Sequence, residues 1–331
     1  MVRDRITVAG AGILGLWQAL TLARRRHRVN LIDRNGEPLA HSASHHAGAM
    51  LAPWVEAESA PALVRDLGVE GLGIWRETYP HVILLGSLVV AAPRDQPDLV
   101  RFARLTERHR TLDRDELESL EPDLAGRFQS ALFFPDEAHV ATPAAMSFLL
   151  QAVQEAGADV HFGRELEVDD REGIIIDCRG LGARDRLKDL RGVRGERLLI
   201  HSTDVRLGRP VRLLHPRHPL YVVPWGEGRY LVGATMIESE DEGPVSVRSA
   251  LELLGAAYAL HPALGEAEIL EMSAGVRPAF PDNVPRARVT DGGRSVLVNG
   301  AYRHGFLLAP VLAKAVADYL TDGTPHPLLS I

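Results

Sequence analysis

The chain has 331 residues, 46% of them hydrophobic and 24% charged, and 37 Lys+Arg against 44 Asp+Glu give a formal charge of −7. That length supports a full core divided between lobes. The mild acidity argues against nucleic acid or an anionic membrane surface as the main partner. A single cysteine, Cys178, excludes an internal disulfide framework and any multi-cysteine metal site, and it fits a reducing compartment. No apolar run approaches the roughly 18–20 residues of a membrane span. The polar Met1–Ile6 leads straight into a strand without a signal-peptide pattern, so a cytoplasmic enzyme is expected.

Ile6–Ala9 reads as a buried strand, followed by a glycine turn and a helix from about Leu14 to Arg26. A second strand, Arg28–Ile32, ends in Asp33. Thr142–Gly157 is the clearest helix, with Thr142 expected as N-cap, Pro143 at the first position and Gly157 as C-cap. Short strands are expected at Asp159–Phe162, Glu165–Val168 and Gly173–Asp177. Tyr221–Val223 and Arg229–Gly233 read as a hairpin around Gly226-Glu227-Gly228. A helix Val245–Leu260, a strand Ser295–Asn299 and a final helix Gly305–Leu320 follow. Parallel βαβ pieces thus stand at the start, middle and end, with antiparallel material between them. The pattern predicts an α/β fold with an α+β insertion, in which a discontinuous Rossmann-like domain accompanies a domain with an antiparallel sheet. Two consecutive domains are the alternative.

Gly10-Ala11-Gly12-Ile13-Leu14-Gly15 matches G-x-G-x-x-G between a strand and a helix. The first glycine makes the tight turn, the second admits a pyrophosphate, and the third lets helix and strand pack. The helix N-terminus offers free N–H groups to the phosphates. Asp33, 23 residues after Gly10, can accept the hydroxyls of an adenosine ribose and disfavours NADP. The turn leaves FAD and NAD both open.

Four further segments carry more information: SASHHAGAMLAP from Ser42, YVVPWGEGRYLVGATM from Tyr221, AGVRPAFPDNVP from Ala274 and NGAYRHGFLLAP from Asn299. With the glycine turn they resemble the amine-oxidising flavoproteins of the D-amino-acid oxidase type, and within them the glycine oxidases. The resemblance implies non-covalent FAD, a small amino-acid substrate, dioxygen as oxidant, and transfer of the product to a thiazole synthase in thiamine formation. It is compatible with an oligomer. FAD-binding segments are expected at 1–55, 138–200 and 273–331, and substrate-domain segments at 56–137 and 201–272. Residue by residue, the resemblance places Ile13 and Leu14, beside the turn glycines Gly10, Gly12 and Gly15, by the pyrophosphate and Asp33 and Arg34 by the ribose. Ser42, Ala43, Ala47, Gly48 and Ala49 would line pyrophosphate and flavin, and Leu166 would meet the adenine. Ala301, Tyr302, Arg303, His304, Gly305, Phe306 and Leu307 would wrap the pyrimidine end of the flavin. Tyr221, Met236, Arg277 and Arg303 would form the substrate pocket.

The chemistry of these residue types agrees with that placement. Arg277, among mostly small and apolar neighbours, can fix a carboxylate with two parallel hydrogen bonds; the alternative is a surface arginine paired with Asp282. Tyr221 can donate to the same carboxylate or serve simply as a strand former. Met236 can restrict the space by the substrate Cα or fill the core. Arg303 can face either flavin or substrate. No general base stands out, and a neutral amine held in line needs none. Cys178 reads as a small buried hydrophobe. His45-His46 and His215/His218 show no metal-ligand spacing, and Arg24-Arg25-Arg26 reads as a solvated helix end.

Overall fold

A computed structural model describes residues 5–167, 173–215 and 220–331. Two large sheets organise it. The first has seven strands in the order Leu329–Ser330, Arg286–Thr290, Ser295–Asn299, Ile174–Asp177, Arg5–Ala9, Arg28–Asp33, Asp159–Phe162. Its centre is parallel, with Ile6 opposite both Val29 and Ile174, and Ile176 opposite Val296. Three stretches far apart in the chain therefore share one sheet, which excludes two consecutive domains. The helices Ile13–Arg24, Thr142–Glu155 and Gly305–Asp322 contribute to its apolar core.

The second sheet has eight strands in the order Glu268–Ala279, Arg191–His201, Arg229–Gly233, Leu220–Pro224, Val211–Leu214, Ser87–Ala91, Ala131–Phe134, Arg110–Leu112. It is mostly antiparallel, and the helix Val247–Leu260 packs on one of its cores. Ser246 caps that helix, its Oγ accepting the Ser249 N–H at 3.2 Å. The 220–233 hairpin turns through Gly226, Glu227 and Gly228, all at positive φ.

Several expectations shift. Thr142 is helical and is not the cap: the cap is Ala141, and the Thr142 hydroxyl donates to the Ala47 carbonyl at 2.6 Å. That tertiary bond outcompetes local capping. The expected strand Glu165–Val168 is not formed over 165–167, and Val168 lies outside the described residues, as do 169–172 and His218. Residues 191–200, expected with the nucleotide-binding segments, pair instead in the eight-stranded sheet. The strand Glu268–Ala279 does so along its whole length, past the expected boundary at 273. The helix Ala62–Thr78, expected in the second domain, packs on the first core. There a Cβ on Gly71 would stand 2.0 Å from the Leu307 carbonyl oxygen, and the Trp75 indole donates to the Phe306 carbonyl at 2.6 Å. Arg25 at the first helix end pairs with Asp318 of the last helix.

Candidate active site

A cavity of about 880 Å³ is lined by residues of both sheets. At one end lies the glycine turn. Gly10 has φ +101°, and a Cβ there would stand 2.5 Å from the Cys178 carbonyl oxygen. A Cβ on Gly15 would stand 1.7 Å from the Gly10 carbonyl oxygen. These two glycines let backbone pack on backbone. Gly12 differs, because the nearest atom to its missing Cβ is Ser44 Oγ at 3.4 Å and the residue borders the cavity. The helix Ile13–Arg24 begins at Gly12 without a side-chain cap, and Ser44 Oγ accepts the Ile13 N–H at 3.0 Å. A positive helix end thus opens onto the cavity, as a pyrophosphate requires.

Asp33 has a role beyond the one expected. Its Oδ2 accepts the Ala11 N–H at 2.7 Å, and its Oδ1 accepts both the backbone and side-chain N–H groups of Asn35 at 2.9 Å. It therefore ties the glycine turn to the second strand. A carboxylate offers about four lone-pair sites, so ribose hydroxyls can still be accommodated. Arg34 and Leu166 also line this end. Arg179 holds Asp177 through Nε and Nη2 at 3.0 and 2.7 Å and reaches Asp185 at 3.0 Å; the Asp177 hydrogen bond is the main reason its guanidinium lies above its ordinary value. Burial pushes the Cys178 thiol up.

The middle of the cavity is walled by Ser42, Ala43 and the Ala47–Ala49 run, followed by the two-residue strand Met50–Leu51. Ala301–Leu307 also line the cavity and lead into the last helix, with the Tyr302 N–H bonded to the Pro278 carbonyl at 2.9 Å.

The eight-stranded sheet supplies the other end, where side chains lie across glycines. Arg277 reaches over Gly195 of the neighbouring strand: a Cβ there would stand 2.1–2.3 Å from three guanidinium atoms. One Arg277 Nη donates to the Thr235 carbonyl at 3.2 Å. Tyr221 lies over Gly233 from the opposite side, and Gly48 packs against the same ring. His46 lies over Gly275, and its Nδ1 is 3.1 Å from Ser273 Oγ. Burial and then Arg197 bring His46 down to about 4, so its ring is neutral near pH 7. Asp282, the alternative partner considered for Arg277, pairs instead with Arg286. Among the described residues no carboxylate pairs with Arg277. Burial lowers its guanidinium from the ordinary value, while Tyr221 and Tyr302 oppose the shift.

Arg303 is placed differently. Its Nη2 donates to Glu56 Oε1 at 3.1 Å, and Arg212 reaches the same oxygen at 3.3 Å. His304 Nδ1 faces Glu56 Oε2 at 3.3 Å. Burial alone would raise Glu56, but Arg303, His304 and Arg212 hold it well below the usual carboxylate range. Met236, 50% exposed, stands at the cavity rim with its Sδ 3.4 Å from the Tyr302 hydroxyl and 3.5 Å from an Arg303 Nη. Behind Glu56, buried Glu137 accepts the Val55 N–H at 2.7 Å and the Ser87 hydroxyl; burial raises it to about 7. Sequence reading missed Glu56, Arg212, His46, Gly195 and Gly233. The available signal was a glycine inside a strand pattern, which marks a close approach.

All the candidate residues for cofactor and substrate except Gly15, which packs on the Gly10 carbonyl, thus border this cavity. A glycine turn on a largely parallel sheet, sharing one cavity with cationic side chains of a second sheet, defines a dinucleotide-binding enzyme. Residues 5–319 match the family described as DAO, FAD dependent oxidoreductase, and the chain belongs to it. The putative thiamine biosynthesis oxidoreductase ThiO of Rhizobium etli is 51% identical over 324 residues, 98% of each chain. The glycine oxidase of Geobacillus kaustophilus is 27% identical over 358 residues, covering 96% of this chain and 92% of that one. The solved glycine oxidase of Bacillus cereus shares the fold, with a TM-score of 0.82 at 22% identity over 97% of this chain and 96% of that one. The protein is an FAD-dependent oxidoreductase, and FAD fits the site: Gly12 leaves room and the helix end has donors to offer.

Proposed function

We propose that this enzyme oxidises the amine of a small amino acid, glycine foremost, to the imine while dioxygen is reduced to hydrogen peroxide. The observation that carries the reading is Arg277, a half-buried cation with no carboxylate partner among the described residues, in the same cavity as the glycine turn. Bound FAD would supply the acceptor for the hydride leaving the substrate Cα, with dioxygen as the final oxidant for that hydride and the proton shed by the amine.

The chain's own residues bind and orient. Arg277 holds the substrate carboxylate by its fork, and Tyr221 donates to it from the other side. Glu56 compensates Arg303, so one carboxylate is drawn to Arg277 rather than shared between two cations. Met236 and Tyr302 narrow the rim and favour a substrate without a side chain. The N-terminus of the last helix, at Gly305, favours negative charge developing in the middle of the cavity. With the substrate held in line and its amine neutral, no protein base is required. Gly12, Ile13, Leu14, Asp33, Arg34, Ser42, Ala43, the Ala47–Ala49 run, Leu166 and Ala301–Leu307 are assigned to FAD, with Gly10 and Gly15 shaping the turn. FAD is taken as non-covalently held, in keeping with the burial of the single cysteine, Cys178. The nucleotide-binding domain follows the seven-stranded sheet and the substrate domain the eight-stranded one.

The thiamine-biosynthesis name of the 51%-identical relative supports delivery of the imine to a thiazole-forming enzyme. A cytoplasmic location suits that role. The exposed position of Met236 supports a second reading, in which a somewhat bulkier amine such as sarcosine or a small D-amino acid is also accepted. A substrate panel with peroxide detection ranks these.

Arg277→Ala is expected to lower kcat/KM for glycine by about 2–5 kcal/mol, the loss of one partner of a desolvated charged pair. Arg277→Lys should restore only part, because charge returns without the fork. An amine lacking a carboxylate should be little affected, and the flavin spectrum should stay near normal. Glycine turnover surviving within about threefold, or an equal fall for both substrates, overturns the assignment.

A further inference from the structure

Arg197 is among the largest fully buried side chains, at 1% exposure. It stands on the same face of its strand as Gly195, two residues away. Strand register sets Arg197 opposite Gly233 on one side and Ser273 on the other, and Gly233 in turn opposite Tyr221. The row across four strands therefore reads Tyr221, Gly233, Arg197, Ser273. Gly233 contributes no side chain, and the Tyr221 phenol fills that gap: a Cβ on Gly233 would stand 3.1 Å from the hydroxyl oxygen. The phenol thus extends from its own strand toward Arg197.

Arg197 Nη2 donates to Glu271 Oε1 at 3.0 Å, and the guanidinium carbon lies 5.7 Å from the Trp225 ring centroid. Its Nε and Nη1 are buried without a hydrogen-bond partner. Orphaned donors on a buried cation are costly, so the surroundings must gain from the charge. A guanidinium can only donate. Neither orphaned donor is hydrogen-bonded to the phenol, but a hydroxyl facing a cation is favoured with a lone pair toward it and its hydrogen away, toward the cavity that Arg277 also lines.

We propose that Arg197 is a positioning residue for the substrate: it fixes the Tyr221 hydroxyl as a donor to the bound carboxylate and adds a buried positive charge behind it. The inference rests on the reading that Tyr221 and Arg277 hold the carboxylate. It gives the row a division of labour, with Arg277 gripping the substrate directly and Arg197 acting through Tyr221.

The test uses holoenzyme and two readouts: kcat and KM for glycine, and the Kd of acetate from the perturbation of flavin absorbance. Arg197→Gln should raise glycine KM and acetate Kd about tenfold, with kcat within about twofold. In a Tyr221→Phe background the same substitution should add almost nothing, because its effect passes through the hydroxyl. Arg197→Lys should recover part of the loss, and this rescue separates positioning from mere packing. Effects of Arg197→Gln and Tyr221→Phe that multiply in full, or an unchanged KM and Kd in Arg197→Gln, overturn the proposal. Should Arg197→Gln fail to retain FAD, Arg197→Lys decides: KM and Kd raised about threefold with normal flavin content support it, and unchanged values overturn it. If Tyr221→Phe itself moves neither KM nor Kd, the carboxylate reading has failed and the role of Arg197 falls with it. A Tyr221→Phe effect without coupling to Arg197 leaves that reading standing and removes the inference alone.

Discussion

The two ends of the cavity are both built on glycine, but for opposite reasons. At the nucleotide end Gly10 and Gly15 let backbone meet backbone, with would-be Cβ atoms 2.5 and 1.7 Å from carbonyl oxygens. At the substrate end Gly195 and Gly233 let a neighbouring strand's side chain lie flat on the sheet. The first arrangement is a fold requirement and the second a placement requirement. Substitutions at the first kind should therefore cost stability, and at the second kind substrate recognition.

The largest effect is expected for Gly15→Ala. The obstructing atoms belong to the Gly10 carbonyl, and backbone in a buried strand–helix turn cannot swing aside. Helix and strand would have to separate, a loss above about 4 kcal/mol and enough to abolish a folded, flavin-loaded protein. Thermal unfolding and flavin content measure it. A near-normal Tm with full FAD would show that the turn relaxes and that the division is false.

Gly195→Ala comes next and tests the other end. The new methyl would overlap the Arg277 guanidinium, whose long side chain can move but only out of its place. Glycine KM should rise about 10–100-fold, equivalent to about 1.4–2.8 kcal/mol, with Tm and flavin content nearly unchanged. A Tm falling as far as in Gly15→Ala would make Gly195 a fold glycine.

The same contrast explains what could be read from the sequence. The nucleotide end is local: the glycines, the preceding strand, the following helix and Asp33 fall within one stretch, and their spacing carries the geometry. The helices and strands around it also follow from short-range patterns, as do the hairpin 220–233 and the last helix. The substrate end is assembled by register. Gly195 matters only because Arg277 is on the adjacent strand, and Arg197 only because Gly233 separates it from Tyr221. Neither strand of the pair 191–201 and 268–279 was expected, so those relations were invisible. Arg277 and Tyr221 were reached through resemblance and residue chemistry, and Glu56 was missed because its partners come from distant segments. Thr142 shows the same limit in a helix cap: local capping chemistry was correct in kind, yet the Ala47 carbonyl claimed the hydroxyl.

Gly12→Ala should have a far smaller effect on the apoprotein than Gly15→Ala, and it divides the nucleotide end within itself. Gly12 has φ −71° and ψ −179°, extended values open to any residue. The nearest atoms to a new Cβ are Ser44 Oγ at 3.4 Å and Ser42 Cβ at 3.9 Å, ordinary contacts. As the N-cap of the helix it should lose about 1 kcal/mol, the usual preference for glycine over alanine at that position. The methyl would nevertheless stand in the space through which a pyrophosphate reaches the helix N–H groups, so FAD affinity should fall while the apoprotein stays folded. Apoprotein Tm and FAD Kd, measured side by side for Gly12→Ala and Gly15→Ala, read the two quantities separately. A Gly12→Ala apoprotein as unstable as Gly15→Ala would make the second glycine a fold requirement as well. An unchanged FAD Kd would mean that the cofactor does not approach the backbone there, and the placement of the pyrophosphate would have to move.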